Sequence, residues 1–594
     1  MADFLLSPPL LLMLGSVVLA AAPRNVLPRT ALRALLLALP VYSLWRFWGL
    51  DFGDYAQFEL FGQTLTLVRI DPLSRIFVVI FHLAALIGSV YSFYVKDNFQ
   101  PLVGVFYAGS ALGVVLAGDL WTLFLFWEVA AVSSALLVWV RRSGRAAGAG
   151  LRYLGMQMVS GVLLLAGIVL LRHETGAAPG WAEFRNLTGF LEDGGLGFSN
   201  LAATLIFLAF GLKAAFPLLH SWLIDAYPES TPAGAVFLSA FTTKFAIYAL
   251  ARAFPGQSEL IWIGALMTAF PIFFAVIEND LRRVLAYSMT NQLGFMVVGI
   301  GIGTELAING AVAHAFADIL FKGLLFMAMG AVLYRVGHVN GSDLGGLYKS
   351  MPITTGLCIV GAASISAFPL FSAFATKSLI MSAAVYKEYF WLWLVLLFAS
   401  AGVFHHAGIK IPFFAFFHHD SGIRCKEAPR SMIVAMVLAA AASMAIGLFP
   451  LAEMWFGTAN PFYELLPYPV HYEVYTTTHV ITQSQLLFFS ALAFATLMRT
   501  GLYPPELRSV NLDADWLYRR VGLRIWDGVA TAFVALHRTG YAAAGRLAAA
   551  ALETAQRHLG PQGFLGRSWL TASMALWVAV LLAAYLVVFY WRLG

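Results

Sequence analysis

Charge is what this sequence has least of. Asp, Glu, Lys and Arg make up only 11% of its 594 residues, against about 25% in an ordinary soluble domain. A chain this long with so few charges cannot hydrate its whole exterior, which excludes a soluble multidomain enzyme and leaves a polytopic membrane protein. Cysteine is almost missing too. Cys358 and Cys425 stand alone, which excludes a disulfide framework and the paired thiolates of a zinc ribbon or a covalent haem site. No glycine-rich nucleotide loop is present either, so no cofactor is implied. The net charge of +6 is scattered through short loops, and nucleic acid is not an expected partner.

What is present is hydrophobic. Apolar residues reach 60% and the mean hydropathy is +0.78. A helical span needs about 20 apolar residues, and on that measure about 14–16 spans are expected. Candidates cover 4–22, 30–50, 71–95, 101–118, 120–140, 151–171, 200–217 and 233–254. The others cover 261–277, 283–302, 306–335, 353–384, 391–414, 432–448, 483–497 and 570–591. Residues 1–28 could pass for a signal peptide, but Asp3 leaves no basic leader, and Arg24 and Arg29 follow the apolar run. The stretch reads as the first span.

Lys and Arg mark cytoplasmic loops. Loops after odd-numbered spans carry Arg24, Arg29, Arg141, Arg142, Arg145, Arg282, Arg283, Lys349, Arg424, Lys426 and Arg430. Loops after even-numbered spans are richer in acids, among them Asp51, Asp54, Glu174, Glu183, Glu192, Asp193, Glu453, Glu464 and Glu473. This orientation puts the N-terminus outside. Two stretches are too polar to span. Residues 58–70 alternate like a short external hairpin around Gly62-Gln63. Residues 515–559 place Trp516, Ile525, Val529, Phe533, Leu536, Tyr541, Leu547 and Leu552 at near-helical spacing among arginines. They read as one or two amphipathic helices along the cytoplasmic face, with an ordinary cytosolic helical hairpin as the alternative.

Against this background the ionisable residues inside spans stand out, because a charge at membrane depth costs roughly 3 kcal/mol or more and usually marks a pathway or relay. Residues 207–252 hold Lys213, His220, Asp225 and Lys244, interrupted by Pro217, Pro228 and Pro232. Broken helices at that depth line protein or water. Glu128 lies mid-span with no basic residue within a turn, so Lys213 is its expected partner from another helix; a static ion pair is the alternative reading. His220 sits beside Pro217 as a relay group or a simple helix cap. His314, Asp318 and Lys322 fall at i, i+4 and i+8, on one helix face. Pro369 with Lys377, and His405, His406, Lys410 and Pro412, echo the earlier pairing of proline and lysine. That echo points to the repeated halves of transporters. His418, His419, Asp420 and Cys425 form a polar loop that reads as solvated, and no metal site is assigned.

The blocks FWEVAAVSSALL, GLKAAFPLLHSWLIDAYPESTPAGAVFLSAFTTK, NDLRRVLAYSMTNQLGFM, HAFADILFKGLLF and FPLFSAFATKS occur in this order over roughly 72–414. Together they resemble the antiporter-like membrane subunits of respiratory complex I, membrane-bound hydrogenases and Mrp cation/proton antiporters, with the overall pattern closest to the D-type Mrp subunit. The resemblance implies an all-α polytopic fold with two inverted five-helix repeats containing broken helices. It implies Glu128 and Lys213 as a coupled pair, Lys244 as the central link, His314 and Lys322 as its continuation, and Lys377 as the terminal lysine. Asp318 departs from the family, which has a histidine there, and is expected to pair with Lys322. The segment before the last span resembles the lateral helix of the largest complex I subunit.

The expected organisation is therefore an N-terminal set of helices with the hairpin (1–100), a first half-channel (101–254) and a second (255–415). Further helices (416–500), the amphipathic lateral region (501–569) and a final span (570–594) complete it. The expected function is proton translocation in a multi-subunit complex of the bacterial cytoplasmic (inner) membrane, as a transporter rather than an enzyme. The Mrp type would exchange Na+ for protons. The alternatives are a subunit of a redox-driven NADH-quinone oxidoreductase or hydrogenase, or of an energy-coupled inorganic-carbon uptake complex. The expected relay comprises Glu128, Lys213, Lys244, His314, Asp318, Lys322 and Lys377, with His220, His405 and Lys410 secondary. Its expected partners are other membrane subunits, the bilayer, protons and Na+.

Overall fold

A computed structural model describes residues 2–23, 28–60, 63–176, 178, 180–191, 195–508, 511–563 and 565–592. Arg24, Glu192 and Asp193 of the loop-charge pattern, and Gly62 of the hairpin turn, lie outside the described residues. The chain forms two units, Met1–Asp513 and Ala514–Gly594.

The first unit opens with α1 (Ala2–Leu5), α2 (Pro8–Ala21) and α3 (Arg29–Trp48). A hairpin follows, with β1 (Gly53–Leu60) antiparallel to β2 (Gln63–Ile70) and Gly53 opposite Ile70. Its first strand starts five residues earlier than the alternation suggested, at Gly53. Next come α4 (Pro72–Tyr91), α5 (Phe99–Leu116), α6 (Leu120–Trp139) and α7 (Gly144–Glu174). The helix starts follow the local chemistry. Asp71 accepts from the Ser74 amide and Ser74 accepts in return from the Asp71 amide, a reciprocal cap. Asp119 caps α6 through the Thr122 amide and also receives the Thr66 amide of β2 at 2.7 Å, which ties the hairpin to that helix.

The middle of the chain contains α8 (Leu201–Lys213), α9 (Ser221–Glu229), α10 (Pro232–Ala240), α11 (Thr242–Ala253) and α12 (Glu259–Ile277). It continues through α13 (Leu281–Ile302), α14 (Glu305–Val336), α15 (Pro352–Ile365), α16 (Ser372–Tyr386) and α17 (Phe390–Val403). Helix α17 runs on through a π-helical stretch (Phe404–Ile409), the short turn α18 (Lys410–Pro412) and a second π-helical stretch (Phe413–Phe417). Pro412 has no N–H to give to the preceding turn, which accounts for irregular winding here. Helices α19 (Arg430–Phe456) and α20 (Thr477–Thr500) complete the bundle. Close helix packing uses small residues. A Cβ on Gly294 of α13 would meet the Thr268 amide of α12 at 2.6 Å, and one on Gly264 would meet the Val298 amide at 2.6 Å.

Twelve helices among the described residues are long and apolar enough to cross a membrane, and three shorter apolar helices accompany them. This is an all-α polytopic membrane protein. Several expected spans are interrupted, among them 233–254, which is α10 and α11 meeting at Phe241. The 200–217 run stops being helical after Lys213 and restarts as α9, and the 353–384 run is α15 and α16 with a break between them.

In the second unit a π-helical turn (Leu517–Gly522) leads into α21 (Leu523–Leu559), and α22 (Thr571–Trp591) follows. Helix α21 is one uninterrupted helix of 37 residues, about 55 Å long at 1.5 Å per residue. None of its residues is buried within the unit. Helix α22 is apolar all round and equally unburied there.

Candidate functional site

The site is organised by two breaks that share four residues. Ala215-Phe216-Pro217-Leu218 joins α8 to α9, and Ala367-Phe368-Pro369-Leu370 joins α15 to α16. In each, the alanine and the leucine take left-handed backbone angles: φ 62° and 68° in the first, 57° and 78° in the second. Such angles are costly for residues with a Cβ and persist only where the surroundings impose them. Matched on the proline, Lys377 stands where Asp225 stands in the first break, and Ile365 where Lys213 stands. The lysine of the second break thus comes from the opposite half-helix. Its Nζ reaches back to donate to the Ile365 carbonyl at 3.1 Å.

Lys213 is fully buried. Its Nζ donates to the Trp127 carbonyl at 2.8 Å and lies 4.3 Å from the Trp127 ring centre. Glu128 is the neighbouring residue on α6, within electrostatic reach, yet the two side chains form no ion pair among the described residues. Glu128 Oε1 is buried without a hydrogen-bond partner and fills the space over Gly161, where a Cβ would come to 1.6 Å. The expected contact pair is therefore an electrostatic pair whose lysine is held by a backbone carbonyl.

The other buried charges gather around α14. Lys244 Nζ meets Asp318 Oδ2 at 2.7 Å, with both side chains fully buried, and it also donates to the Ser239 carbonyl at 2.9 Å. This corrects the expected pairing of Asp318 with Lys322. Lys322 Nζ donates instead to Ser288 Oγ on α13 at 2.8 Å. Side chains at i and i+4 share a helix face, but Lys244 arrives from α11 and takes the carboxylate. Lys322 and Lys377 remain in the electrostatic field of Asp318. Neither oxygen of Asp318 accepts a hydrogen bond of good geometry among the described residues, so it holds Lys244 as a charge. His314 is fully engaged, with Nδ1 at 2.9 Å from Thr376 Oγ1 and Nε2 at 3.0 Å from Gln292 Oε1. Thr376 precedes Lys377, so His314 links α13, α14 and α16.

Lys377 forms part of the wall of a cavity of about 290 Å³ between α16, α17 and α20. Ser378, Ser382, Thr482 and Gln483 are polar residues in a wall that is otherwise mostly apolar. Asp225, by contrast, is bound to Arg152 at 2.7 Å and stands apart from this cluster.

The secondary residues are also placed. His220 is buried and its Nε2 lies 3.2 Å from Asp513 Oδ2, which also accepts from Tyr287 Oη at 2.8 Å. Lys410 is fully buried, meets Glu506 Oε1 at 2.9 Å and donates to the carbonyls of Val276 and Glu278 at 2.6 and 2.7 Å. His405 stacks on Tyr503, with ring centres 5.6 Å apart. No sequence pattern singles out Asp513 or Glu506, because their loop after α20 looks like ordinary polar connection. Arg282 was expected as a loop charge. It is 1% exposed and binds the carbonyls of Tyr227, Pro228 and Ser230 at the end of α9. No group of three or more His, Cys, Asp or Glu able to hold a metal occurs among the described residues.

Residues 117–404 match the family profile described as NADH:quinone oxidoreductase/Mrp antiporter, TM. The chain is 30% identical over 430 residues to the A-type subunit of the Na(+)/H(+) antiporter of Alkalihalophilus pseudofirmus, covering 64% of this chain and 52% of that protein. It is 28% identical over 433 residues to Hydrogenase-4 component B of Escherichia coli, covering 66% and 63%. It therefore spans between half and two thirds of the length of these relatives. A chain of the archaeal membrane-bound sulfane sulfur reductase shares the fold, with a TM-score of 0.68, 22% identity, and coverage of 98% of this chain and 100% of that one.

Proposed function

Because residues 117–404 match the profile described as NADH:quinone oxidoreductase/Mrp antiporter, TM, we propose that this chain is a proton-translocating, antiporter-like subunit of a multi-subunit membrane complex. The Mrp type of exchange, Na+ against protons, is the reading we favour. It draws on the A-type antiporter relative and on the five sequence blocks.

The observation that carries the proton role is the charge imbalance around α14. Three fully or almost fully buried lysines, Lys244, Lys322 and Lys377, share one buried carboxylate, Asp318. A purely structural ion pair would be neutral, because a surplus buried cation costs several kcal/mol. A surplus that can lose or gain a proton costs less, and it lets the charge of one lysine govern its neighbours. In this mechanism a proton on Lys322 or Lys377 repels the cation on Lys244, whose hold on Asp318 adjusts. His314 on α14 carries the connection between α13 and α16, with Nε2 toward Gln292 and Nδ1 toward Thr376. Glu128 and Lys213 act at the far end, where the Trp127 carbonyl keeps the lysine poised beside the carboxylate without closing the pair. The cavity at Lys377, with Ser378, Ser382, Thr482 and Gln483 in its wall, supplies its contact with water.

The redox-driven reading has one observation in its favour. Hydrogenase-4 component B aligns over 63% of its own length, the A-type antiporter relative over 52%. In that case the electron chemistry belongs to partner chains and the charge row here does the same work. We place the complex in the bacterial cytoplasmic membrane with the N-terminus outside. Exposed Arg142, Arg145, Lys426 and Arg430 support that orientation, whereas the buried Arg282 carries no weight for it.

The test is proton movement in everted membrane vesicles containing the assembled complex. Adding Na+ should discharge an imposed pH gradient, and Lys244→Ala should reduce the rate about a hundredfold. A gradient built by an electron donor and indifferent to Na+ would favour the redox reading. Unchanged proton movement with Lys244→Ala and Lys213→Ala would remove the relay.

A further inference from the structure

Four side chains beside the main row have buried polar atoms that no described residue satisfies. His406 is fully buried and neither ring nitrogen makes a well-formed hydrogen bond, although the Gly402 carbonyl one turn back lies near enough to act on it. His405 Nε2, Tyr503 Oη and Glu506 Oε2 also lack a hydrogen-bond partner among the described residues. Buried polar atoms are satisfied in the great majority of cases, and exceptions demand an explanation. Here they are contiguous. His406 is in the electrostatic field of Lys322, His405 and Lys410. His405 stacks on Tyr503, with an angle of 12° between the rings. Tyr503 is in the field of Glu506. Glu506 and Tyr503 line a cavity of about 380 Å³, whose walls include Ser342, His418 and the exposed His419. The histidines lie on the π-helical stretch Phe404–Ile409, a winding often found at functional positions.

We propose that His406, His405, Tyr503 and Glu506 line a hydrated branch that carries protons between Lys322 and the surface cavity beside Glu506. The inference rests on the relay reading above and adds a second way out of the α14 cluster, separate from the cavity at Lys377. Water satisfies buried polar atoms when the site is polar and offers several partners. An imidazole whose nitrogens make no well-formed bond to protein can accept a proton on one and release it from the other. Glu506 is the last protonatable group before the cavity. Burial raises its proton affinity above the ordinary carboxylate range, against the opposing effect of Lys410. Lys410 is a positioning residue. Its ammonium is committed to the carbonyls of Ala275, Val276 and Glu278 and to Glu506 Oε1, so it holds the carboxylate at the mouth of the branch. The charged and titratable groups facing the branch are Lys322, Lys410, Glu278, the four residues themselves and, at the cavity, His418 and His419.

Two measurements test it on the full chain in its native membrane complex. First, proton movement is compared among Glu506→Gln, Tyr503→Phe and His406→Phe, with Lys213→Ala as reference and assembly checked by size exclusion. His406→Phe and Glu506→Gln should each slow proton movement about tenfold, less than the roughly hundredfold of a lost proton-transfer group because the cavity at Lys377 remains as a second way out. Unaltered rates in both, with Lys213→Ala inactive, would overturn the branch while leaving the relay intact. Unaltered rates in all of them would bring down the relay and the branch with it. Second, His406→Cys is made in a Cys358→Ser/Cys425→Ser background and exposed to a small charged methanethiosulfonate. The thiol should be modified, and Tyr503→Trp should slow that modification. A thiol that stays unmodified in assembled protein means the branch is dry, and the proposal falls.

Discussion

Asp318 pairs with Lys244 at 2.7 Å, across the interface between α14 and α11, and not with Lys322 one turn along its own helix. Removing the carboxylate leaves a buried cation without its counter-charge. Asp318→Asn should cost about 3–5 kcal/mol of stability, the scale for breaking a buried pair. Detergent-solubilised protein should show this as a lower melting temperature. Asp318→Asn combined with Lys244→Met should recover most of the stability and none of the proton movement. Equal loss of stability in the single and double variants would mean that the pair is not coupled.

Gly161 faces Glu128 closely enough that an alanine Cβ would overlap Oε1. The atom displaced is the end of a flexible side chain, so the fold should tolerate the change. Gly161→Ala is expected to leave the melting temperature nearly unchanged while shifting the carboxylate away from Lys213. Proton movement should then fall as it does in Glu128→Gln, and the double variant should be no worse than either single one. Additive losses in the double variant would contradict the assignment.

The two helix breaks hold alanine where glycine is favoured. Ala215 and Ala367 are buried with φ of 62° and 57°. Ala215→Gly and Ala367→Gly should each relieve roughly 1 kcal/mol of backbone strain. The check is a raised melting temperature. A fall in both would show that the alanine methyl groups matter more to packing than the strain does.

Asp420 offers a pH-dependent reading outside the spans. Hydrogen bonds from Arg424, then Lys349 and the Gly422 amide, hold its carboxyl well below the ordinary range. A depressed folded-state value means the stabilisation is present above the unfolded value, about 3.9, and is lost only as pH falls through the lower folded one. Amide hydrogen exchange at Gly422 should therefore stay slow at pH of about 3, where a free aspartate is mostly protonated. In Asp420→Asn the protection should be weak even at neutral pH. Protection that disappears near the ordinary aspartate value would show that the three donors do not act on it.

Much of this architecture is legible in the sequence because the bilayer imposes length and hydropathy on every span. The 306–335 run needed only composition to be read, and it is the single helix α14. The row His314, Asp318 and Lys322 follows from helical spacing alone. The broken helices are marked by Pro217 and Pro369, although the shared AFPL run shows the correspondence better than the nearby lysines do. Matched on the proline, Lys377 answers to Asp225 rather than to Lys213. The hairpin is visible in its alternation, and its early start at Gly53 is not, because Gly53 and Asp54 have low strand preference and are held by pairing with Ile70 and Arg69.

By itself, then, the sequence determined that the chain spans a membrane many times, where its helices break, and which ionisable residues lie at depth. Tertiary structure alone decided their partners. Spacing along one helix assigns a face, but at a buried site the charge that comes nearest governs, and that charge can come from any helix in the bundle. Lys244 therefore displaced Lys322 at Asp318, and a backbone carbonyl displaced Glu128 at Lys213. The loop after α20 supplied Glu506 and Asp513 to residues 96 and 293 positions away, a distance over which composition and periodicity carry no information.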